Sequence, residues 1–188
     1  MAPLARRIRR ARTGGYTLLE LMIVVVLIGV LSAIAIPSFQ SYLYRSRTAE
    51  AVTFLGEIRQ RQESYRAEFG QYCSVSGAPG ASPDSGAWAP GSLPASGTSV
   101  GWPGAPGAWS QLGAVPDGPV RFQYRTTAGP PGTTPGITGY DGSDFWFVAQ
   151  ARADLDGDGE VMIIEAYSAS NHLYFADGAM APLSSGYE

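Results

Sequence analysis

Three groups of residues have types and spacing that could do chemistry. The first is the run "DLDGDGEVMIIE", residues 154–165. Asp154, Asp156 and Asp158 stand at positions one, three and five of a calcium-loop pattern. Gly159 stands at the sharp turn, Glu160 at the seventh position, and Glu165 at the twelfth, where a bidentate carboxylate is expected. A hard cation takes several oxygens at about 2.4 Å, and alternating acids on a turning chain can supply them. The same residues also suit a solvated Asp/Gly turn that closes a hairpin, and the flanks read as strands, not as the two helices of an EF-hand. Ca2+ is therefore the one cofactor expected. The second group is Cys73 and His172, one of each in the chain. A single cysteine allows no intramolecular disulfide, and one His with one Cys offers no Cys-His, zinc or Ser-His-Asp constellation, so no catalytic residues are assigned and an enzyme is not expected. His172, in "NHLYF", reads as a strand residue. The third is Glu20, a lone acid at the mouth of an apolar run, where a bilayer should expel a carboxylate.

The element holding Glu20 is a long apolar helix. From Leu21 to Ile36 every residue is apolar or small, with Gly29 and Ser32 the polar-leaning exceptions. At a rise of about 1.5 Å per residue, the segment from Tyr16 to Ile36 matches a hydrocarbon layer of roughly 30 Å. Arg6, Arg7, Arg9, Arg10 and Arg12 precede it, which keeps that end cytoplasmic and sends the bulk of the chain across the membrane. From residue 16 onward, 8 Arg face 16 acids, and there is no Lys. Such an acidic body lacks the clustered positive charge that phosphate contacts need, so nucleic-acid binding is not expected.

Three origins fit this segment. A signal peptide could be cut at Ala33-Ile34-Ala35, but Glu20 would interrupt the start of its apolar region. A plain membrane anchor explains the apolarity alone. The unit "GGYTLLELMIVVVLIGVLSAIAIP" resembles the class III signal of type IV pilins and pseudopilins. The resemblance rests on Gly15, Tyr16, Thr17, Leu18, Glu20 and Pro37, and it covers about residues 6–70. Two positions depart from the usual pattern: Tyr16 stands where Phe is usual, and Leu19 where Ile is common. Both keep the apolar bulk. The resemblance implies cleavage after Gly15 by a prepilin peptidase, methylation of the Tyr16 amine, and polymerisation on an inner-membrane assembly platform with other pilins. It also implies that Glu20 meets the N-terminal amine of an adjacent subunit, where a positive partner makes the buried acid tolerable.

Beyond Pro37 the helical period continues. Val52, Leu55, Ile58, Gln62, Tyr65 and Phe69 recur at steps of three and four, with Gly70 as a stop. Residues 1–15 are then a leader, 16–37 a transmembrane and polymerisation helix, and 38–70 an amphipathic helix on a head. Gly29 and Pro37 bracket a stretch expected to lose helicity when the fibre is loaded. Residues 71–139 form a Gly/Pro-rich variable region. In its core, residues 76–139, 25 of 64 positions are Gly or Pro, which alone suggests a linker. Trp88, Trp102 and Trp109 argue instead for an ordered, irregular loop pinned by aromatic anchors. A strand is expected at 120–127, with Val120, Phe122, Tyr124 and Thr126 on one face. Residues 140–188 hold further strands, the acidic loop and a tail. The fold class is α+β: a long kinked N-terminal helix packed on a four-stranded antiparallel sheet.

The leading function is a structural subunit, a major or minor pilin, made in the inner membrane and carried outside the cell in a fibre. The alternatives are a type II secretion pseudopilin, or a minor pilin acting as an adhesive module through the three tryptophans.

Overall fold

A computed structural model describes residues 15–103, 107–136 and 140–175. The expected leader up to residue 14 and the C-terminal tail lie outside the described residues. The chain divides into two units, one ending at Gln40 and one beginning at Ser41. Each is taken by itself.

Helix α1, Leu18–Phe69, contributes to both. It starts where Thr17 and Glu20 satisfy each other's backbone, two residues later than the sequence suggests. It continues through Pro37, whose missing N–H costs the bond to the Ala33 carbonyl. One residue on, the Ser38 hydroxyl donates to the Ile34 carbonyl at 3.0 Å. The helix stops at Gly70, which adopts φ 72° and donates its N–H to the Arg66 carbonyl at 2.8 Å. That left-handed turn favours glycine.

In the second unit α1 buries Thr48, Ala51, Phe54, Leu55, Ile58 and Gln62. The stripe is rotated from the one read in the sequence. At 100° per residue the line through Leu55, Ile58 and Gln62 also passes Ala51 and Phe54, which leaves Val52 half-buried. Phe69 is 56 % exposed and its ring packs 4.4 Å from that of Tyr65.

The sheet is a four-stranded antiparallel meander in the order β1 (Gln123–Gly129), β2 (Trp146–Ala153), β3 (Met162–Tyr167), β4 (Leu173–Phe175). The α+β architecture is the expected one. β1 begins three residues late, because Val120 instead bridges to Val100. Phe122, Tyr124, Phe147, Ala149, Ala151, Ile164 and Ala166 share one core with Phe54, Leu55 and Ile58 of the helix.

The alternation in "VRFQYRTT" puts Arg121, Gln123, Arg125 and Thr127 on a second, polar face, and every residue of β1 on both faces is buried. The Gly/Pro-rich region folds over that face. Ala89 bridges to Tyr124, and the Gln123 amide donates to the Pro90 carbonyl. The Arg125 guanidinium donates to Asp84 Oδ1 at 2.8 Å and to the Asp84 carbonyl at 2.9 Å. The tryptophans serve as anchors. Trp102 lies 5.9 Å from Phe54 and 5.3 Å from Trp109, both edge to face, on the helix side of the sheet. Trp88 is held on the other side by Arg125 and Arg152, whose guanidinium carbons lie 4.1 and 4.2 Å from its ring centre. A short helix, α2 (Ala108–Leu112), carries Trp109.

Gln62, the polar break in the helix stripe, is fully buried. Its amide donates to the Cys73 carbonyl at 2.7 Å, and its carbonyl accepts the Cys73 N–H at 2.8 Å. One side chain therefore satisfies both backbone groups of the residue where the chain turns back after α1. Burial pushes the Cys73 thiol up, so it is protonated and unreactive at neutral pH.

Candidate functional site: the N-terminal helix and the acidic loop

The chemistry of the first unit is concentrated at the start of α1. Thr17 is the N-cap and Glu20 the third helical residue. The Thr17 hydroxyl accepts the Glu20 N–H at 3.2 Å. Glu20 Oε2 accepts both the Thr17 N–H and the Thr17 hydroxyl, each at 2.9 Å. This is a reciprocal capping box, and it satisfies two helix-end donors that lipid could not. The signal was legible as Thr-x-x-Glu before an apolar run, and the sequence reading passed over Thr17 in this role. The cap uses one carboxylate oxygen. Among the described residues, Glu20 Oε1 has no hydrogen-bond partner, so the acid can keep its cap and still accept a bond from another chain.

Gly15 and Tyr16 lie immediately before the helix and are exposed, Tyr16 at 92 %. Leu18, Leu21, Ile23, Val26, Ile28, Leu31, Ile34 and Ile36 are all more than half exposed. This helix is long and apolar enough to cross a membrane. Gly29 has nothing within 4 Å of where a Cβ would stand. Both Gly29 and Pro37 lie within continuous α-helix in this single chain.

The prokaryotic N-terminal methylation motif matches residues 10–36, and the family described as type IV minor pilin ComP, DNA uptake sequence receptor, matches residues 37–95. Residues 10–95 are therefore similar to type IV pilins. Similar curated pilins include the major pilin PilA of Myxococcus xanthus, 43 % identical over 75 residues, which are 40 % of this chain and 34 % of that protein. The major fimbrial protein FimA of Dichelobacter nodosus is 48 % identical over 50 residues, 27 % of this chain and 32 % of its own. Fimbrial protein EcpC of Eikenella corrodens is 39 % identical over 66 residues, 35 % of this chain and 43 % of its own. The alignments thus span about a third to two fifths of these pilins' lengths. No solved structure matches the chain.

In the second unit, the acidic loop joins β2 to β3. One carboxylate oxygen from each of Asp154, Asp156 and Asp158 falls within a mutual separation of 4.8 Å. Asp154 accepts the N–H groups of Gly157 and Gly159 at 2.7 and 3.2 Å, and Asp158 accepts that of Glu160 at 2.8 Å. Gly157 and Gly159 sit at φ 84° and 89°, which side-chain-bearing residues rarely adopt. The loop is tethered at the Leu155 carbonyl, which accepts from Arg47 at 3.1 Å and from the Ser96 hydroxyl at 2.7 Å.

Glu165 does not join the three aspartates. It lies on β3 directly opposite Gln150 of β2, which lies opposite Arg125 of β1. Arg125 donates to Gln150, Gln150 donates to Glu165, and the Tyr167 hydroxyl donates to the other Glu165 oxygen. Burial and this acceptor together raise the Tyr167 hydroxyl's pKa, which keeps it protonated. Strand alternation turns the Glu165 side chain onto the sheet face, which leaves the three aspartates as the acids that converge in the loop; Glu160 is exposed. His172 is exposed and its carbonyl accepts from Arg59 at 3.1 Å.

Proposed function

We propose that this chain is a structural subunit of a type IV pilus. It is inserted in the inner membrane as a prepilin, cleaved after Gly15 by a prepilin peptidase, methylated on the Tyr16 amine, and polymerised through α1 on an assembly platform. The observation that carries this reading is the exposed apolar helix coinciding with the matched methylation motif at residues 10–36. A helix so apolar must be covered by lipid first and by sister helices afterwards. Its role is structural, in line with the pilin family. The adhesive alternative loses its motive, since Trp109 is buried, Trp102 is packed against Phe54 and Trp109, and Trp88 lies against two arginines.

The description "DNA uptake sequence receptor" belongs to the matched family. In this head most arginines are already engaged: Arg61 with Glu57, Arg66 with Asp144, Arg121 with Glu50 and Arg125 with Asp84 in ion pairs, and Arg47, Arg59 and Arg152 in hydrogen bonds to Leu155, Asn171 and Gln123. We therefore propose no nucleic-acid partner. Mass spectrometry of sheared surface filaments tests the main reading. The chain should be present and begin at N-methylated Tyr16; a mature chain beginning at Ile36, or absence from filaments, would overturn it.

We also propose that the acidic loop takes Ca2+ outside the cell through Asp154, Asp156 and Asp158. Three converging carboxylates repel one another without a cation, and their oxygens are close enough for one ion to touch all three. Millimolar calcium should raise the melting temperature by several degrees, with Asp156→Asn abolishing the rise. Equal melting in calcium and in chelator would remove the ion from this account.

A further inference from the structure

Arg45 and Arg47 lie two residues apart on α1, on opposite faces, and only Arg47 is used by the head. Arg47 donates to the Leu155 carbonyl at 3.1 Å, with its guanidinium carbon 5.8 Å from the centre of the Tyr44 ring. Arg45 is exposed and forms no ion pair among the described residues. Tyr42 precedes it by three positions and is 67 % exposed. Side chains at i and i+3 lie on the same side of a helix, so Tyr42 and Arg45 form one outward pair. An exposed amphipathic ring beside an unpaired cation has nothing to bind within the head.

Their place along the chain suggests the partner. The apolar run ends at Ile36, and six residues at 1.5 Å put Tyr42 about 9 Å further on. The polar layer of a bilayer extends roughly 5–8 Å beyond the hydrocarbon on each side. Helical side chains lean toward the N-terminus, so the ring and guanidinium reach back toward that layer. Tyrosine is enriched there because one end of its ring is apolar and the other wet. A guanidinium pairs with phosphate oxygens in two-point contacts that lysine does not match.

We propose that Tyr42 and Arg45 form a headgroup anchor, which seats the unpolymerised subunit in the interface of an anionic phospholipid membrane with Arg45 on lipid phosphate. This rests on the membrane-inserted subunit proposed above. Anchoring sets the depth at which the helix waits in the membrane. Entry into a fibre then requires the pair to leave its lipid.

The test uses the full chain in vesicles of phosphatidylcholine, with or without phosphatidylglycerol. An environment-sensitive fluorophore is attached through Ser41→Cys, with Gly29→Cys as the deep control and Gln60→Cys as the aqueous control. Cys73 is buried and its thiol protonated, so it stays in place; the native chain should take up no label. The Ser41→Cys label should be blue-shifted and quenched most by headgroup-attached quenchers. Its protection from aqueous quencher should be at least about twofold greater with phosphatidylglycerol, and Arg45→Gln or Tyr42→Ala should remove that gain. A Ser41→Cys label as accessible as the Gln60→Cys label, while the Gly29→Cys label stays deep, overturns the anchor and leaves membrane insertion standing. An aqueous Gly29→Cys label overturns both. Protection that follows protein density and ignores lipid charge assigns the surface to a second copy of the chain and overturns the lipid proposal.

Discussion

Glu20→Ala should all but abolish incorporation of this subunit into filaments while leaving cleavage after Gly15 intact. Two physical effects are lost together. The first is the cap: Oε2 accepts two bonds from Thr17, and removing a capping partner costs about 0.5–2 kcal/mol of helix stability. The second is the charge. In the proposed fibre, Oε1 meets the Tyr16 amine of an adjacent subunit, and truncating one partner of a buried, hydrogen-bonded charge pair costs about 2–5 kcal/mol. Each 1.4 kcal/mol is tenfold in an equilibrium, so the combined expectation is a loss of about sixtyfold or more. Glu20→Gln separates the two effects. Glutamine at the third helical position still completes a capping box, but it carries no charge. If the charge drives assembly, the glutamine variant should fail nearly as badly as the alanine one. Filament yield equal to wild type from Glu20→Gln would show that the helix needs the cap alone, and the charge-pairing account would fall. Quantifying this subunit in sheared filaments against its membrane pool reads out both variants.

Gly129→Ala should be the most damaging single-methyl addition in the head. Gly129 ends β1 directly opposite Trp146 of β2. A Cβ there would stand 2.5 Å from two carbons of the Trp146 ring and 2.6 Å from Thr133 Oγ1. Trp146 is fully buried, and its indole N–H donates to that same Thr133 hydroxyl at 2.9 Å. The ring has no room to retreat without breaking that bond, so overpacking should cost about 1–3 kcal/mol or more. A domain of this size would then melt several degrees lower. Gly56→Ala is the matched control. Gly56 is exposed on the head half of α1, with open space around a new Cβ, so alanine should stabilise by about 0.5–1 kcal/mol. Thermal unfolding followed by near-ultraviolet circular dichroism, which reports the packed tryptophans, should move in opposite directions for the two variants. Equal melting temperatures would mean that the strand end has more slack than its geometry implies.

The local pattern of residues settled much of this protein. An apolar helix, an acid near its start, an amphipathic continuation stopped at Gly70 and four strands joined in series are all legible, because each depends on neighbours within a few positions. The helix cap at Thr17 and Glu20 was legible on the same terms.

Tertiary structure decided what period and composition leave open. Alternation in β1 separates two faces but does not say what covers them. The second face is buried because the Gly/Pro-rich region folds back over it, held by Trp88, Asp84 and Ala89. A polar break in a helix stripe reads the same whether it is a flaw or a fastening; only the return of the chain at Cys73 makes Gln62 the latter. Glu165 has calcium-loop spacing, but the ladder from Arg125 through Gln150 points its carboxylate elsewhere. The physical reason is the same each time. Short-range spacing sets where a side chain stands on its own element, and the partner it meets is chosen by residues that only the folded chain brings near.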